Sequence, residues 1–408
     1  MNILNKIHFY GDRIIWRIII ILFLISVLIV FASADSLAAD DQYRHGAYWY
    51  LIRHLKFFAA GFITLYVFHR IPISIYKKFA ASLLVVSIGL LLYTALFGME
   101  INGAKRWILI FGMSLQTADV AKISIVLYLA GVLEDNPFEK FKDVIKKIIL
   151  PTGAVFILTF AGGTSMGLLI GAICMSILFI GGLKLKHLLK IFGLATAGLA
   201  LLIVMGLTLK WPPRVSTMFT RTETYVGANN VKNAGNTTSK FTQEYRAKIA
   251  VASGGIVGQG PGNSTQRYLI KYSYSDFVFA MIVEEYGLAA AIIILFAYMA
   301  LLYRAAVIAK KCTRIFSSVT VLGLMLMIVF QAMVNMGVSV GIFPVTGQTL
   351  PFISVGGTSI VCMGAAFGII LSVSRAANIQ QVSEQKSNDE KYIPDDANEK
   401  TVEYNEQQ

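Results

Sequence analysis

Charge is what this chain has least of. Asp, Glu, Lys and Arg make up only 14% of its 408 residues, against 56% for the hydrophobic types. A soluble globular domain carries about 25% charged residues, and a disordered chain combines high charge with few apolar residues, so both classes are excluded. Cysteine is scarce too: Cys174 and Cys362 fall in apolar runs and Cys312 in a basic connection. None lies in an expected outer loop and no metal-ligand spacing occurs, so neither a disulfide nor a zinc site is expected. Acidic residues number 23 against 36 basic ones, giving a net charge of +13. That excess does not point to nucleic acid, because the basic residues sit in short connections between apolar runs rather than on one face or in one arm. No internal repeat stands out, which argues against an inverted-repeat transporter.

What remains is apolar, in runs near the roughly 20 residues a helix needs to cross hydrocarbon. They lie near 14–33, 48–68, 79–98, 119–133, 148–162, 164–183, 190–209, 276–303, 316–340 and 354–374. The first ends in Ala32-Ser33-Ala34, which resembles a cleavage site, but its long apolar core and the spans that follow favour an uncleaved helix. The runs 119–133 and 148–162 are short and are expected to tilt or to extend into flanking polar turns. Lys and Arg cluster in His69–Lys78, Glu134–Lys147, Lys184–Lys190 and Arg304–Arg314, alternating with poorer connections. The positive-inside rule then places both termini in the cytoplasm. Residues 34–47, 99–118, a short turn near Gly163, 210–275 and 341–353 face outward in that topology. Residues 376–408 hold eight acidic and three basic residues and almost no large apolar ones, so a disordered acidic cytoplasmic tail is expected. The expected architecture is an all-α polytopic membrane protein. Residues 1–375 form a domain of ten transmembrane helices, with a long extracytoplasmic loop at 210–275 between helices 7 and 8. Its basic inner face would favour anionic membrane lipid.

A few polar groups interrupt the apolar background. Asn102-Gly103-Ala104-Lys105-Arg106-Trp107 sets two cations beside an indole. That is either an interfacial anchor or a clamp for an anionic headgroup such as a pyrophosphate, and residue type weighs the two equally. Asp119 and Lys122 share a helix face at i,i+3 and can neutralise each other inside the bilayer; a structural ion pair is the better reading. The outer loop brings Lys210, Arg214, Arg221, Lys232, Lys240, Arg246, Lys248, Arg267 and Lys271 against only Glu223 and Glu244. It is a cationic vestibule or simply a solvated surface loop. Gly258-Gln259-Gly260-Pro261-Gly262 follows no strand and precedes no Lys-Ser/Thr, so a nucleotide loop is a weak match. Glycines there let the backbone bend or approach a ligand.

Asp276 is the only carboxylate between Glu244 and Glu284 and opens an apolar run that continues to about Tyr303. It could cap the helix, or act as a general base or metal ligand at the membrane surface. On one continuous helix Glu284 and Glu285 would lie about 12 Å deeper, where a charge needs a cavity or a partner. Residues 344–359, PVTGQTLPFISVGGTS, combine Pro344, Pro351, Gly356 and Gly357. Broken backbone at membrane depth survives only when protein-buried or lining a cavity.

Together these stretches carry a resemblance. The chain closely resembles the SEDS family (shape, elongation, division and sporulation) over nearly its whole membrane body. The likeness rests on NGAKRW at 102–107, SLQTADVAK at 114–122, the GG-x2-GQG-x-GNSTQ pattern from Gly254, SDFVFAMIVEE at 275–285 and PVTGQTLPFISVGGTS at 344–359. The long loop and TGQTLPFIS favour the division branch, with the elongation branch close behind. The resemblance implies a SEDS-type fold of ten helices in the bacterial cytoplasmic membrane. It further implies a peptidoglycan glycosyltransferase that polymerises lipid II, the undecaprenyl-pyrophosphate-linked disaccharide peptide, at the outer face. Implied partners are a class B penicillin-binding protein and other divisome proteins, with no nucleic acid. Asp276 falls on the family's essential aspartate, Trp107 on its tryptophan, Lys122 on its intramembrane lysine and Glu285 in its acidic pair beside Glu284. Pro344, Thr346, Gly347, Ser354, Gly356 and Gly357 fall on the final signature. Where many members have Pro-Asp-Leu-Gly-Thr, this chain reads Ala161-Gly162-Gly163-Thr164-Ser165, so no role of that aspartate carries over.

In the chemistry so implied, Asp276 is the base. Lys105, Arg106, Trp107, Arg214 and Arg246 bind the substrate or its departing pyrophosphate, with a divalent cation (Mg2+ or Mn2+) as the metal option and no organic cofactor. A lipid II flippase, which would need a polar path reachable from both sides, and a non-catalytic scaffold are the competing readings.

Overall fold

The computed structural model describes residues 11–39, 46–101, 104–110, 113–208, 239–270 and 273–391. The apolar runs form helices because a backbone out of reach of water has to satisfy its own N–H and C=O groups. In chain order these are α1 (Arg13–Ala39), α2 (Ala47–Arg70), α3 (Ile73–Phe97), α4 (Thr117–Asp135), α5 (Phe141–Gly162), α6 (Thr164–Ile180) and α7 (Leu185–Thr208). Then follow α8 (Ser239–Gly254), the single turn α9 (Ser273–Asp276), α10 (Val278–Lys311), α11 (Ile315–Ser339) and α12 (Gly357–Lys391). Among the described residues, eight helices are long and apolar enough to cross a membrane: α1, α2, α3, α5, α7, α10, α11 and α12. The apolar α6 is shorter, at 17 residues. Asp119, Lys122, Glu134 and Asp135 make α4 less apolar, yet neighbours bury it on nearly every side.

Burial sorts the bundle. The apolar stretches of α11 and α12 are 72% and 83% buried, that of α7 only 6%. Helices α4, α11 and α12 are therefore central and α7 peripheral. Helix α12 packs along α2 through backbone. The point where a Cβ on Gly364 would stand is 2.3 Å from the Gly61 carbonyl oxygen, and that of Gly368 is 2.6 Å from the Leu65 carbonyl oxygen. Gly364-x3-Gly368 is thus the small-residue spacing that lets two membrane helices approach closely.

Contacts divide the connections between two ends. At one end Lys77 pairs with Glu134 at 2.7 Å and Asp135 at 2.5 Å, and Arg375 donates to the Arg70 carbonyl at 3.2 Å. There too the Phe141 ring stacks on His187 at 5.5 Å, while the Asp12 carboxylate accepts from Arg304 Nε at 3.1 Å and caps α1 through the Ile14 amide at 2.9 Å. The four Lys/Arg-rich connections thus come together. At the opposite end Arg106 Nε donates to the Gly162 carbonyl at 2.7 Å and Thr358 Oγ1 to the Ser114 carbonyl at 2.6 Å. Ser165 Oγ reaches the Thr346 carbonyl at 3.0 Å and Arg267 Nη1 the Ala32 carbonyl at 2.8 Å.

Four expectations change. The chain is not all-α: β1 (Met99–Ile101), β2 (Ala104–Ile110) and β3 (Met113–Gln116) form an antiparallel sheet in which Ile101 faces Ala104 and Ile110 faces Met113. Asn102-Gly103, the two residues between those partners, is a strong hairpin signal when flanked by β-favouring residues such as Trp107 and Ile108. The run from Asp276 is not one helix either. Phe277 (φ −120°, ψ 21°) separates α9 from α10, and Gly287 at φ 76° breaks α10 again. The expected outer loop contains α8, while its residues 209–238 lie outside those described. Finally, α12 continues to Lys391, so the first part of the expected disordered tail is helical; residues 392–408 lie outside those described. Extending an existing helix through Ala, Gln, Glu and Lys costs far less than nucleating one.

The glycine contact is testable. Gly364→Val should strain the α2–α12 seam by about 1–3 kcal/mol and lower the thermal unfolding midpoint in detergent. Gly89→Val should leave it near wild type, because nothing lies within 4 Å of that position's Cβ site.

Candidate functional site

Asp276 closes the turn α9 with its side chain half-buried. Ser275 Oγ donates to its Oδ1 at 3.0 Å, and the Cβ site of Gly347 stands 3.6 Å from its Oδ2. Gly347, at φ 67°, lies in the left-handed region that glycine enters without strain. The 340–356 segment between α11 and α12 is bound to the backbone of the two residues before the aspartate. Ser354 Oγ donates to the Ser275 carbonyl at 2.8 Å, and the Val355 amide to the Tyr274 carbonyl at 3.0 Å. Asn335 Nδ2 on α11 donates both to the Asp276 carbonyl at 3.0 Å and to the Gln348 carbonyl at 2.7 Å. Three buried polar atoms around this turn have no hydrogen-bond partner: Thr346 Oγ1, Gln348 Nε2 and Asn335 Oδ1.

Beneath the site runs a buried polar chain. Lys122 Nζ is 2.8 Å from Asp119 Oδ1 and donates to Gln331 Oε1 at 2.6 Å. Gln331 Nε2 in turn donates to the Thr349 carbonyl at 3.0 Å and its hydroxyl at 3.2 Å. The expected ion pair therefore exists and extends into the 344–359 segment.

Glu284 and Glu285 hold a loop. The Glu284 carboxylate accepts from the Ser264 hydroxyl, the Thr265 amide at 3.1 Å, the Thr265 hydroxyl at 3.0 Å and the Gln266 amide at 3.4 Å. Glu285 lies 3.8 Å from Arg267 Nη1. The glycine-rich run packs directly on helix backbone: the Gln259 and Gly260 amides donate to the Glu284 and Glu285 carbonyls, each at 2.9 Å. A side chain on Gly258 (φ 88°) would start 2.3 Å from the Glu285 carbonyl oxygen. Its glycines thus serve approach to α10, with Gly287 providing the complementary break.

The basic group is distributed. Successive strand residues point to opposite faces. Exposed Lys105 reaches the Leu96 carbonyl at 3.1 Å, whereas Arg106 turns to Gly162 across the sheet. Trp107 is half-buried, paired with Met99 and Gln116. The two cations therefore reach different neighbours. Arg246 is half-buried on α8, whose Ala247 and Ala250 pack with Tyr274, Phe277 and Met281 beside the site. Arg214 lies outside the described residues. Pro344 and Gly356 are half-buried in the 340–356 segment, and Gly357 meets the Phe57 ring, 3.0 Å from its Cβ site. Next to Gly357 and Thr358 opens a cleft of about 640 Å³, with Arg53 and Lys56 among its otherwise mostly apolar lining.

Asn335, Gln331 and Gln348 contribute to the site without having been singled out from sequence. Gln331 and Asn335, one turn apart in an otherwise apolar span, were the available signal, since buried amides there need partners.

A membrane-embedded helical bundle with a single aspartate held at one end against a broken-backbone segment defines the class. The family model for FtsW, RodA and SpoVE, described as cell cycle protein, matches residues 12–379, and the chain belongs to that family. The probable peptidoglycan glycosyltransferase FtsW of Hydrogenovibrio crunogenus is 30% identical over 88% of this chain and 90% of its own length. Stage V sporulation protein E of Bacillus subtilis is 29% identical over 88% and 96%. Among solved structures, a chain of a peptidoglycan synthase complex that coordinates polymerization and crosslinking matches in fold. Its TM-score is 0.70 at 24% identity, over 90% of this chain and 98% of that one.

If Glu284 anchors the loop, Glu284→Ala leaves several donors unsatisfied, at about 1–3 kcal/mol each where buried. Limited proteolysis should then cut within 259–267 much faster than in wild type, while α12 remains protected.

Proposed function

We propose that the chain is a peptidoglycan glycosyltransferase that polymerises lipid II into glycan strands at the outer face of the cytoplasmic membrane, in septal wall synthesis. The observation that carries this reading is the half-buried Asp276 carboxylate, packed against Gly347 of a segment in which Thr346 and Gln348, like Asn335 on α11, keep buried polar atoms without partners. The relatives named FtsW support a division role over an elongation one.

Asp276 accepts the proton from the 4-hydroxyl of the acceptor's N-acetylglucosamine as that oxygen attacks the donor's anomeric carbon. The bond to undecaprenyl pyrophosphate breaks in the same displacement, and the anomeric centre inverts. The leaving group needs no general acid, because its charge is stabilised electrostatically. Lys105 is the exposed described cation on the sheet; Arg106, Arg246, Arg214 and Trp107 complete the proposed binding set. A divalent cation fits the donors present, since Mg2+ is commonly held by one carboxylate together with substrate phosphates. Asp276 would hold it, Thr346 and Asn335 having buried side-chain oxygens without partners, and it would neutralise pyrophosphate charge. The mostly apolar cleft with Arg53 and Lys56 suits an anionic lipid.

The same reading gives residues 1–375 as the catalytic membrane domain and residues 376–408 as a cytoplasmic tail. Helices α1–α7 and α10–α12 are its ten spans, with the long loop between the seventh and eighth. Both termini are cytoplasmic, since the basic connections share one end of the bundle, and Asp276 faces outward. The partner is a class B penicillin-binding protein, with other divisome proteins around it. Gathering of the polar groups at one end, and neutralisation of Lys122 by Asp119, support a polymerase over a flippase.

The test uses the protein purified with its class B penicillin-binding protein, supplied with lipid II and a divalent cation. Glycan polymer on a gel should form with wild type and fall by at least about 100-fold, the range of a lost general base, for Asp276→Ala and Asp276→Asn. Near-wild-type polymer from Asp276→Asn would remove the aspartate from this role. Wild type without polymer, in an intact complex, would overturn the polymerase reading.

A further inference from the structure

We infer that Asn335 on α11 is a positioning residue for the reaction, setting the gap between Asp276 and the 346–350 backbone. The inference rests on the polymerase reading above. Asn335 has no solvent exposure. Its amide nitrogen has two N–H groups, and each goes to a different segment: one to the Asp276 carbonyl at 3.0 Å, the other to the Gln348 carbonyl at 2.7 Å. Both carbonyls sit where regular structure is interrupted, one at the Phe277 break and the other in the extended 344–350 stretch.

The amide also has one sensible orientation. Turned over, its oxygen would face two carbonyl oxygens. One turn earlier on the same helix, Gln331 holds Thr349 and accepts from Lys122. The two amides thus grip consecutive residues, Gln348 and Thr349, and place Gly347 with its Cβ site 3.6 Å from Asp276 Oδ2. A pure packing role would not require both N–H groups to bridge the aspartate's peptide to the facing segment. Misplacement of a reacting group by about 1 Å can cost roughly 100-fold in rate, so the bridge acts on turnover rather than on affinity.

The experiment compares wild type, Asn335→Asp and Ser339→Ala in the complex with the penicillin-binding protein. Asn335→Asp keeps the shape, removes the donors and adds a carboxyl; Asn335→Ala removes the donors without that group. Ser339→Ala loses a hydroxyl that donates to the carbonyl of Asn335 on its own helix. For Asn335→Asp, kcat for lipid II polymerisation should fall about 10–100-fold with KM within about two-fold, assayed well below the thermal midpoint, which drops because two buried carbonyls lose their donor. Amide exchange over 346–350 should accelerate at the same time, and Ser339→Ala should leave every readout unchanged. Should Asn335→Asp fail to fold, Asn335→Ala carries the same expectation. An unchanged kcat, a loss that tracks the melting midpoint, or unaltered exchange over 346–350 would overturn the inference. Exchange does not depend on turnover, so an inactive wild type defeats the polymerase reading alone while the exchange comparison still decides the role of Asn335.

Discussion

Lys122 has no solvent exposure, and an ammonium in that setting has to be answered from within the bundle. Asp119, one turn back on the same helix, supplies the opposite charge at 2.8 Å. Gln331 Oε1 on α11 accepts a hydrogen bond from the ammonium, and because an amide is bifunctional it passes the connection on to Thr349. A charge that would be costly in lipid thereby fixes the height and register of the segment facing Asp276. The same requirement explains why α4, with Asp119 and Lys122 in its span, sits among neighbours rather than against lipid. Solvation by protein is the only solvation open to it.

A second constraint comes from the two breaks flanking α10's first turns. Phe277 separates the aspartate's turn from the helix, and Gly287 lets the glycine-rich run lie on exposed helix carbonyls. The two glutamates between those breaks then hold the 259–267 loop. Continuous helix would have left them as unanswered intramembrane charges. With the breaks in place they become the anchor of that loop.

Much of this was legible in the sequence. Runs of apolar residues marked the helices, Lys/Arg clusters picked out connections that do meet at one end, and the i,i+3 spacing of Asp119 and Lys122 indicated their pairing. The sheet at 99–116 was missed because a hydropathy reading registers a short amphipathic hairpin as a loop, although Asn102-Gly103 carried the turn signal. The two breaks escaped for a different reason: Phe277 has no breaking propensity, and Gly287 matters only through its contact with a run 30 residues earlier in the chain. Lys105 and Arg106 look like one clamp in a linear string, and strand alternation sends them to different neighbours. Long-range partners such as Asn335 with Gln348 depend on chain crossings that local patterns do not encode.

The seam between α2 and α12 bears on how the molecule can move. Where Gly364 and Gly368 meet carbonyl oxygens, no side-chain torsion is available to absorb a displacement. Sliding would drive backbone into backbone, so relative motion there is confined to whole-turn jumps rather than graded drift. The two helices behave as a single strut running from the basic end of the bundle to the signature segment. Compliance has to reside elsewhere, and α7 is the membrane-length helix with the least of its surface held by protein. A pair of spectroscopic labels across the α2–α12 seam would therefore serve as a fixed ruler, against which displacement of any other helix during turnover could be read.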